Sequence, residues 1–176
     1  MTGALVPGHV VAAKVELESI ERDRADVLNA LFELYAHDFS EYVPLELRES
    51  GRFELTVSEV WWTRADHHAF FVRVGGRLAG FALVRKGSKI TDDPDVMDVA
   101  EFFVVRAERR KGTGRQAALA LLGRFPGRWE VRVRKTNQPA LHFWLRVLEG
   151  ASDRGVDHSM HSDNQVDWHV LRAEVD

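Results

Sequence analysis

The chain has 176 residues, 45% hydrophobic and 29% charged, a globular balance that excludes a disordered chain and, at about 100–200 residues per domain, predicts one domain over residues 1–176. It contains no cysteine, which excludes a disulfide framework, a thiolate metal site and a cysteine nucleophile and fits a reducing, cytoplasmic setting. The net charge of -3 is unevenly spread: residues 1–60 hold 12 acidic and 5 basic side chains and residues 101–135 hold 10 basic and 3 acidic ones, so the second block should face an anion and the first a cationic partner.

Met1 to Ala12 has no basic stretch followed by a long apolar one, so no secretory signal is read there. Val10 to Glu18 reads as a first strand. Asp23 to about Tyr35 reads as a helix, because Val27, Leu28, Leu31, Phe32, Leu34 and Tyr35 recur at helical spacing. Ala36 to Gly51, with Pro44 and mixed polar residues, reads as a loop with broken helix. Phe53 to Trp62 fits neither period. Ala69 to Val74 and Leu78 to Val84 flank Gly75-Gly76 and predict an antiparallel hairpin. Met97 to Val105 is the next strand, and its apolar run Phe102 to Val105 has the pattern of a strand buried on both faces. Gly112 to Leu122 predicts a largely buried helix. No apolar run, Ala117 to Leu122 included, approaches the roughly 20 residues of a membrane span. Trp129 to Val133 is a strand in which Glu130, Arg132 and Arg134 alternate with apolar residues. Pro139 to Leu148 is a helix with Pro in its first turn. Gly155 to His158 and Val166 to Leu171 close the chain as a pair of strands. The order predicts an α+β fold, a mixed and mostly antiparallel sheet flanked by helices.

The chemistry concentrates between Glu101 and Arg115, where a strand runs through a Gly-containing turn into a helix. Gly112 and Gly114 have no Cβ, so a bulky anion can approach the backbone. The free N–H groups of the helix start and its dipole favour negative charge, by roughly 0.3–1 kcal/mol for the dipole alone at an exposed end. Together with Arg109, Arg110, Lys111 and Arg115, the backbone through Thr113 makes a pyrophosphate seat. The P-loop pattern is absent, and so is an H-E-x-x-H zinc helix. A relaxed dinucleotide pattern ending at Ala117 is met, but it requires a βαβ unit, which the antiparallel run upstream argues against. Asp157, His158, His161 and Asp163 have loosely metal-like spacing without a second cluster, and no metal is expected.

Arg109-x-x-Gly112-x-Gly114, after a strand and opening a helix, resembles the R/Q-x-x-G-x-G/A motif of the GNAT N-acetyltransferase superfamily. Asn137, Ala140 and Phe143-Trp144 are similar to that family's N-x-x-A-x-x-[FL]-Y pattern. The hairpin with Gly80-Phe81-Ala82 resembles its second and third strands. The resemblance covers about residues 69–148 and implies a twisted sheet whose central strands splay, with a bulge in the strand before the motif and acetyl-CoA in the wedge. It implies that the backbone of Phe103, Val104 and Val105 faces the pantetheine and acetyl group, with Val104 and Val105 at the thioester oxyanion. Asn137 and Ala140 would lie near the pantetheine, and Phe143 and Trp144 near the thioester. Trp144 departs from the family, which often has a proton-donating Tyr there. An indole N–H donates a hydrogen bond but is no proton source near neutral pH. General-acid help is typically worth about 10²–10⁴-fold, so its loss slows the reaction without forbidding it.

Glu101 is the candidate base, with a strand-end carboxylate in a salt bridge as the plain alternative; a one-residue slip in register would turn it to the other face. Tyr35, Asp38 and Tyr42 fall where the family shapes its acceptor pocket, and the alternative for them is an ordinary helix end with capping and aromatic packing. The resemblance implies an acetyl-CoA-dependent N-acetyltransferase acting by direct attack in a ternary complex. Its acceptor would be a small cationic amine or a basic peptide end, with no membrane partner. Homodimers are common in the family. Two rival readings stand beside it: an acyl-CoA-binding module with weak or no catalysis, and a nucleic-acid binder using the basic block 101–135. The aromatics of that block, Phe102, Phe103, Phe125 and Trp129, sit mostly in apolar strand patterns and so are expected to be unavailable for base stacking.

Overall fold

Among the described residues, seven strands form one mixed sheet in the order β1-β2-β3-β4-β5-β7-β6. The computed structural model describes residues 13–176; Val10 to Ala12 of the expected first strand, and the segment read for a signal, lie outside them. The strands are β1 (Val15–Ser19), β2 (His67–Val74), β3 (Arg77–Lys86), β4 (Met97–Val104), β5 (Gly127–Arg134), β6 (Asp157–Asp163) and β7 (Val166–Val175). The helices are α1 (Ala25–Phe39), α2 (Val60–Thr63), α3 (Thr113–Arg124) and α4 (Gln138–Glu149). Among the described strands only the β4–β5 pair is parallel, because α3 is the one crossover there between sheet neighbours.

The hairpin turn falls where it was predicted. Gly75 and Gly76 have φ of 54° and 79°, the left-handed pair that a two-residue turn matched to strand twist requires. One face of the sheet packs against α3 and α4 through Val84, Val99, Trp129, Val131, Leu121, Leu122 and Leu148. The other packs against α1 through Phe71, Phe81, Leu83 and Phe103 with Leu28, Leu31 and Phe32. The helical spacing of apolar residues in α1 thus reports the stripe that it buries.

Two expectations are corrected, the end of the first helix and the length of the last strands, and the segment that fitted neither period is resolved. The first helix continues past Tyr35 to Phe39, since Ala36 is buried under it and Ser40 N–H still reaches Ala36 O. Residues 53–59 form no regular element and are tied to α1 instead: Phe53 and Glu54 N–H donate to Glu33, and Val57 N–H donates to Asn29 Oδ1. Side chains supply the partners that a ladder would have supplied. The last strands are longer than predicted because β6 is a mostly exposed polar edge with little apolar alternation to read.

Candidate active site

The strands β4 and β5 pair at only three positions, Met97 with Trp129, Asp98 with Glu130 and Val99 with Val131. Just beyond, β4 carries a bulge. Glu101 lies opposite Leu83 and Val99 opposite Val84, which leaves Ala100 as the extra residue. A bulge bends its strand and increases the local twist. β5 meanwhile stays paired with β7 as far as Arg134. The two strands therefore part, and a cavity of about 300 Å³ occupies the gap.

The bulge also fixes which way Glu101 points. Val99 and Phe102 pack toward α3 and α4, whereas Ala100 and Phe103 pack toward α1. Without the extra residue, Glu101 would share the face of Val99. With it, Glu101 lines the cavity on the α1 side, and the Tyr35 hydroxyl donates to its Oε2 at 2.6 Å. Burial pushes the Glu101 carboxyl above its ordinary value, against the Tyr35 hydrogen bond and the charges of Arg132 and Arg85. Burial, and then the Glu101 charge, push the Tyr35 phenol far up, so Tyr35 holds its proton at neutral pH. Its ring is stacked on Phe39 and meets Phe81 and Phe103 edge-on. Glu101 makes no salt bridge among the described residues, so the strand-end ion pair is not its environment.

At the far end of the wedge, α3 starts at Gly112, whose φ of 84° is left-handed and suits only glycine well. The first helical hydrogen bond is Gln116 N–H to Gly112 O. The N–H groups of Thr113, Gly114 and Arg115 precede it, and no side chain caps them. A Cβ on Gly114 would stand 3.4 Å from the Phe143 ring, which marks how closely α4 and the helix start approach. Arg110 is also left-handed, at φ 60°, and turns the loop. Lys111 reaches Glu108 at 3.6 Å. The uncapped donors, open backbone and surrounding cations suit a pyrophosphate.

Several candidate residues are placed otherwise than expected. Val105 N–H donates to Ala79 O, and its carbonyl accepts from Glu108 N–H, so neither group is free for a thioester. The Phe103 carbonyl abuts Gly80 of β3, and its ring is in the α1-side core. Strand alternation therefore leaves the Val104 N–H facing away from β3, while the Val104 carbonyl accepts from Arg109 Nε at 2.7 Å. The Arg109 guanidinium bonds Asp38, lies 5.5 Å from the Phe103 ring centroid, and joins Arg106 in holding both Asp38 oxygens. Asp38 is thus a clamp between the end of α1 and the loop, and offers no free charge to an acceptor. Tyr42 lies outside the cavity lining and packs near Phe39. Asn137 does line the cavity, but its Oδ1 caps α4 by accepting from Ala140 N–H at 3.1 Å. Ala140 and buried Trp144 line the same wall, Trp144 standing edge-on to Phe102 and Phe143.

Among the polar and indole side chains of the cavity, sequence reasoning did not assign Arg132, Arg134 and Trp168. Their signal was the alternation of Glu130, Arg132 and Arg134 along an otherwise apolar strand. Trp168 carried none, because only the β5–β7 register sets it beside Arg134. The basic block offers no stacking platform: Phe103 and Trp129 are buried, and Phe102 and Phe125 pack against the core. His158 and His161, three apart on β6, point to opposite faces, and His158 pairs with His169 instead.

The family model described as Acetyltransferase (GNAT) family matches residues 28–149. None of the curated proteins matches the sequence. Among solved structures, the chain is similar to an acetyltransferase from Thermus thermophilus, with TM-score 0.69 and 14% identity, covering 93% of this chain and 99% of that one. It is similar to an aminoglycoside acetyltransferase in complex with coenzyme A and kanamycin, with TM-score 0.68 and 11% identity over 92% and 95% of the two chains. A spermidine N-acetyltransferase from Vibrio cholerae, in complex with CoA and spermine, gives TM-score 0.63 and 15% identity over 92% and 95%. At these identities the structures speak for the fold. The family match spans α1 to α4 and so includes the parted strands and the Gly-containing helix start; the chain belongs to the GNAT acetyltransferase family.

Proposed function

We propose that the protein transfers the acetyl group of acetyl-CoA to the nitrogen of an amine, by direct attack within a ternary complex. The early parting of β4 and β5, with a cavity in the gap and an uncapped helix start at its end, carries this reading. The N–H groups of Thr113, Gly114 and Arg115, with Arg110 and Lys111, would hold the pyrophosphate. Gly112 and Gly114 keep the approach open. The thioester would lie beside Val104, with Phe143 and Trp144 as its apolar wall.

In the reaction the amine lone pair attacks the thioester carbonyl carbon, a C–N bond forms and the carbonyl electrons move onto oxygen. The Val104 N–H stabilises that oxygen. As the C–S bond breaks, sulfur leaves as a thiolate, tolerable because thiols have a pKa near about 8.5. Glu101 takes the ammonium proton. Its raised affinity for protons makes it a better base than an exposed carboxylate. Trp144 can donate a hydrogen bond to sulfur but no proton, so the Tyr35–Glu101 pair is the proton-carrying couple of the cavity. Much of the remaining rate enhancement comes from holding two substrates in the wedge.

Calorimetric titration with acetyl-CoA tests the reading, followed by thiol release with amines. One-to-one micromolar binding, lost in Gly112→Val because valine is strained at that φ, is the expected result. No binding at millimolar acetyl-CoA overturns it. Binding without thiol release from any amine would leave the acyl-CoA-binding module.

A further inference from the structure

We infer that the acceptor is an amine that also carries a carboxylate, of the amino-acid class, with its carboxylate on Arg134 and its nitrogen toward Glu101. This rests on the acyl-transfer reading above and names its acceptor by class. Arg132 and Arg134 both project from β5 into the cavity. Arg132 has a partner, the fully buried Asp98, which it shares with Arg85 at 2.7 Å. Arg134 has none. Among the described residues no carboxylate pairs with it, and its Nε is buried without an acceptor; the Arg85 Nε is likewise unsatisfied, but the Arg85 fork is held by Asp98. Buried polar groups in folded proteins are nearly always satisfied, and an unsatisfied one calls for an explanation such as a ligand.

What holds Arg134 supplies no acceptor. Its guanidinium carbon stands 4.6 Å from the Trp168 ring centroid, and that of Arg132 stands 5.6 Å from the same ring. Stacking fixes the plane of the fork and leaves its N–H groups to a ligand, and that fork matches a carboxylate in bidentate fashion. The charges agree. Three guanidiniums, Arg85, Arg132 and Arg134, stand against Asp98 and Glu101, and Glu101 is the one carboxylate in the cavity lining. One acid and one unpaired guanidinium complement a zwitterion. A polycation would bring a second ammonium against the arginines, a like-charge contact that disfavours it. The acidic residues of the N-terminal third do not offset this, because none of them lines the cavity, and Glu18, Glu33 and Asp38 are already bound to Arg73, to backbone N–H groups and to Arg106 and Arg109. A single free guanidinium matches a carboxylate better than a dianionic phosphate.

The test is thiol release from acetyl-CoA with the α-amino acids, β-alanine and 4-aminobutyrate, each against its primary amide, with spermidine, kanamycin and phosphoethanolamine alongside. An amide's amine is the less basic and so the freer at neutral pH, which biases the comparison against the inference. The expected result is at least one acid favoured over its amide by about 10- to 100-fold in kcat/KM, the range for a hydrogen bond to a charged group. Arg134→Gln should bring acid and amide to within about twofold of each other through KM, and Arg134→Lys should keep part of the preference. Acetyl-CoA titration of both variants checks that the wedge is intact. Equal turnover of acids and amides, preference for spermidine, kanamycin or phosphoethanolamine, or no turnover of any acid by protein that binds acetyl-CoA would overturn the inference. Failure to bind acetyl-CoA would instead overturn the reading on which it rests.

Discussion

Glu101 is under opposing influences: burial disfavours its charge, while the Tyr35 hydroxyl and the nearby arginines favour it. Its net shift is upward, so as the proposed base it would become active only once pH has risen past a value above the ordinary carboxylate range. The acid limb of kcat/KM should report that value. Tyr35→Phe removes a hydrogen bond to the charged form. The carboxyl should then rise further, and the acid limb should move to higher pH. Glu101→Gln should flatten the limb and lower kcat by about 100-fold. A pH–rate series on the three proteins checks both, and an unmoved limb in Tyr35→Phe would remove Tyr35 from the proton-carrying couple. Glu101 was legible in the sequence as a candidate, but its face was not, because that depends on one extra residue in the pairing of β3 with β4.

The scale of elements is where the site is built. Gly80 illustrates it. A Cβ there would lie 2.0 Å from the Phe103 carbonyl oxygen, a backbone atom that cannot step aside without moving β4. Glycine at this point lets β3 and β4 close up on one side of the bulge, while β4 swings from β5 on the other. Gly80→Ala should therefore destabilise the fold by about 3 kcal/mol or more, at the upper end of overpacking costs, and disturb the wedge as well. Urea unfolding measures the first effect and acetyl-CoA titration of the folded fraction the second. The resemblance picks out Gly80 with Phe81 and Ala82, but nothing in the sequence shows that it is sterically confined while Gly87 and Gly123 are not, a Cβ at either of those meeting nothing. Its constraint comes from a strand more than twenty residues away.

Over the whole molecule the charges are mostly neutralised in pairs. Glu18, Asp38, Asp66, Asp93 and Asp167 all have lowered carboxyl values in the folded chain. The cause is hydrogen bonds from neighbouring side chains at Glu18, Asp66 and Asp167 and, at Asp93, first the Asp95 backbone N–H and then Arg128; at Asp38 burial pushes upward and is outweighed by the hydrogen bonds and charges of Arg106 and Arg109 together. A carboxyl held low stabilises the fold above its unfolded value, near about 4, and loses that contribution as pH falls through the folded value. Glu101 has the opposite sign and gains from protonation. Five lowered groups outnumber it, so denaturant midpoints should fall steadily from pH 5 to pH 2. A midpoint that is flat over that interval would mean that these pairs contribute nothing.

Read alone, the residues specify most of the elements and mark the proposed anion seat. Apolar spacing placed α1, an Ala-rich apolar run placed α3, Pro in the first turn marked α4, Gly75-Gly76 placed the hairpin, and Arg109-x-x-Gly112-x-Gly114 marked the start of α3. Each is a local property, written within a few residues by periodicity or backbone freedom. The packed sheet was needed to show that the Val105 N–H and the Phe103 carbonyl turn to β3 and that the Val105 carbonyl is taken by Glu108 N–H. It also showed that Asp38 serves a clamp, and that Arg132, Arg134 and Trp168 meet Tyr35 and Glu101 around one cavity. Those facts depend on the bulge at Ala100 and on the register of β5 with β7. Register is a property of strands in pairs, and shifting it by one residue exchanges every face at once.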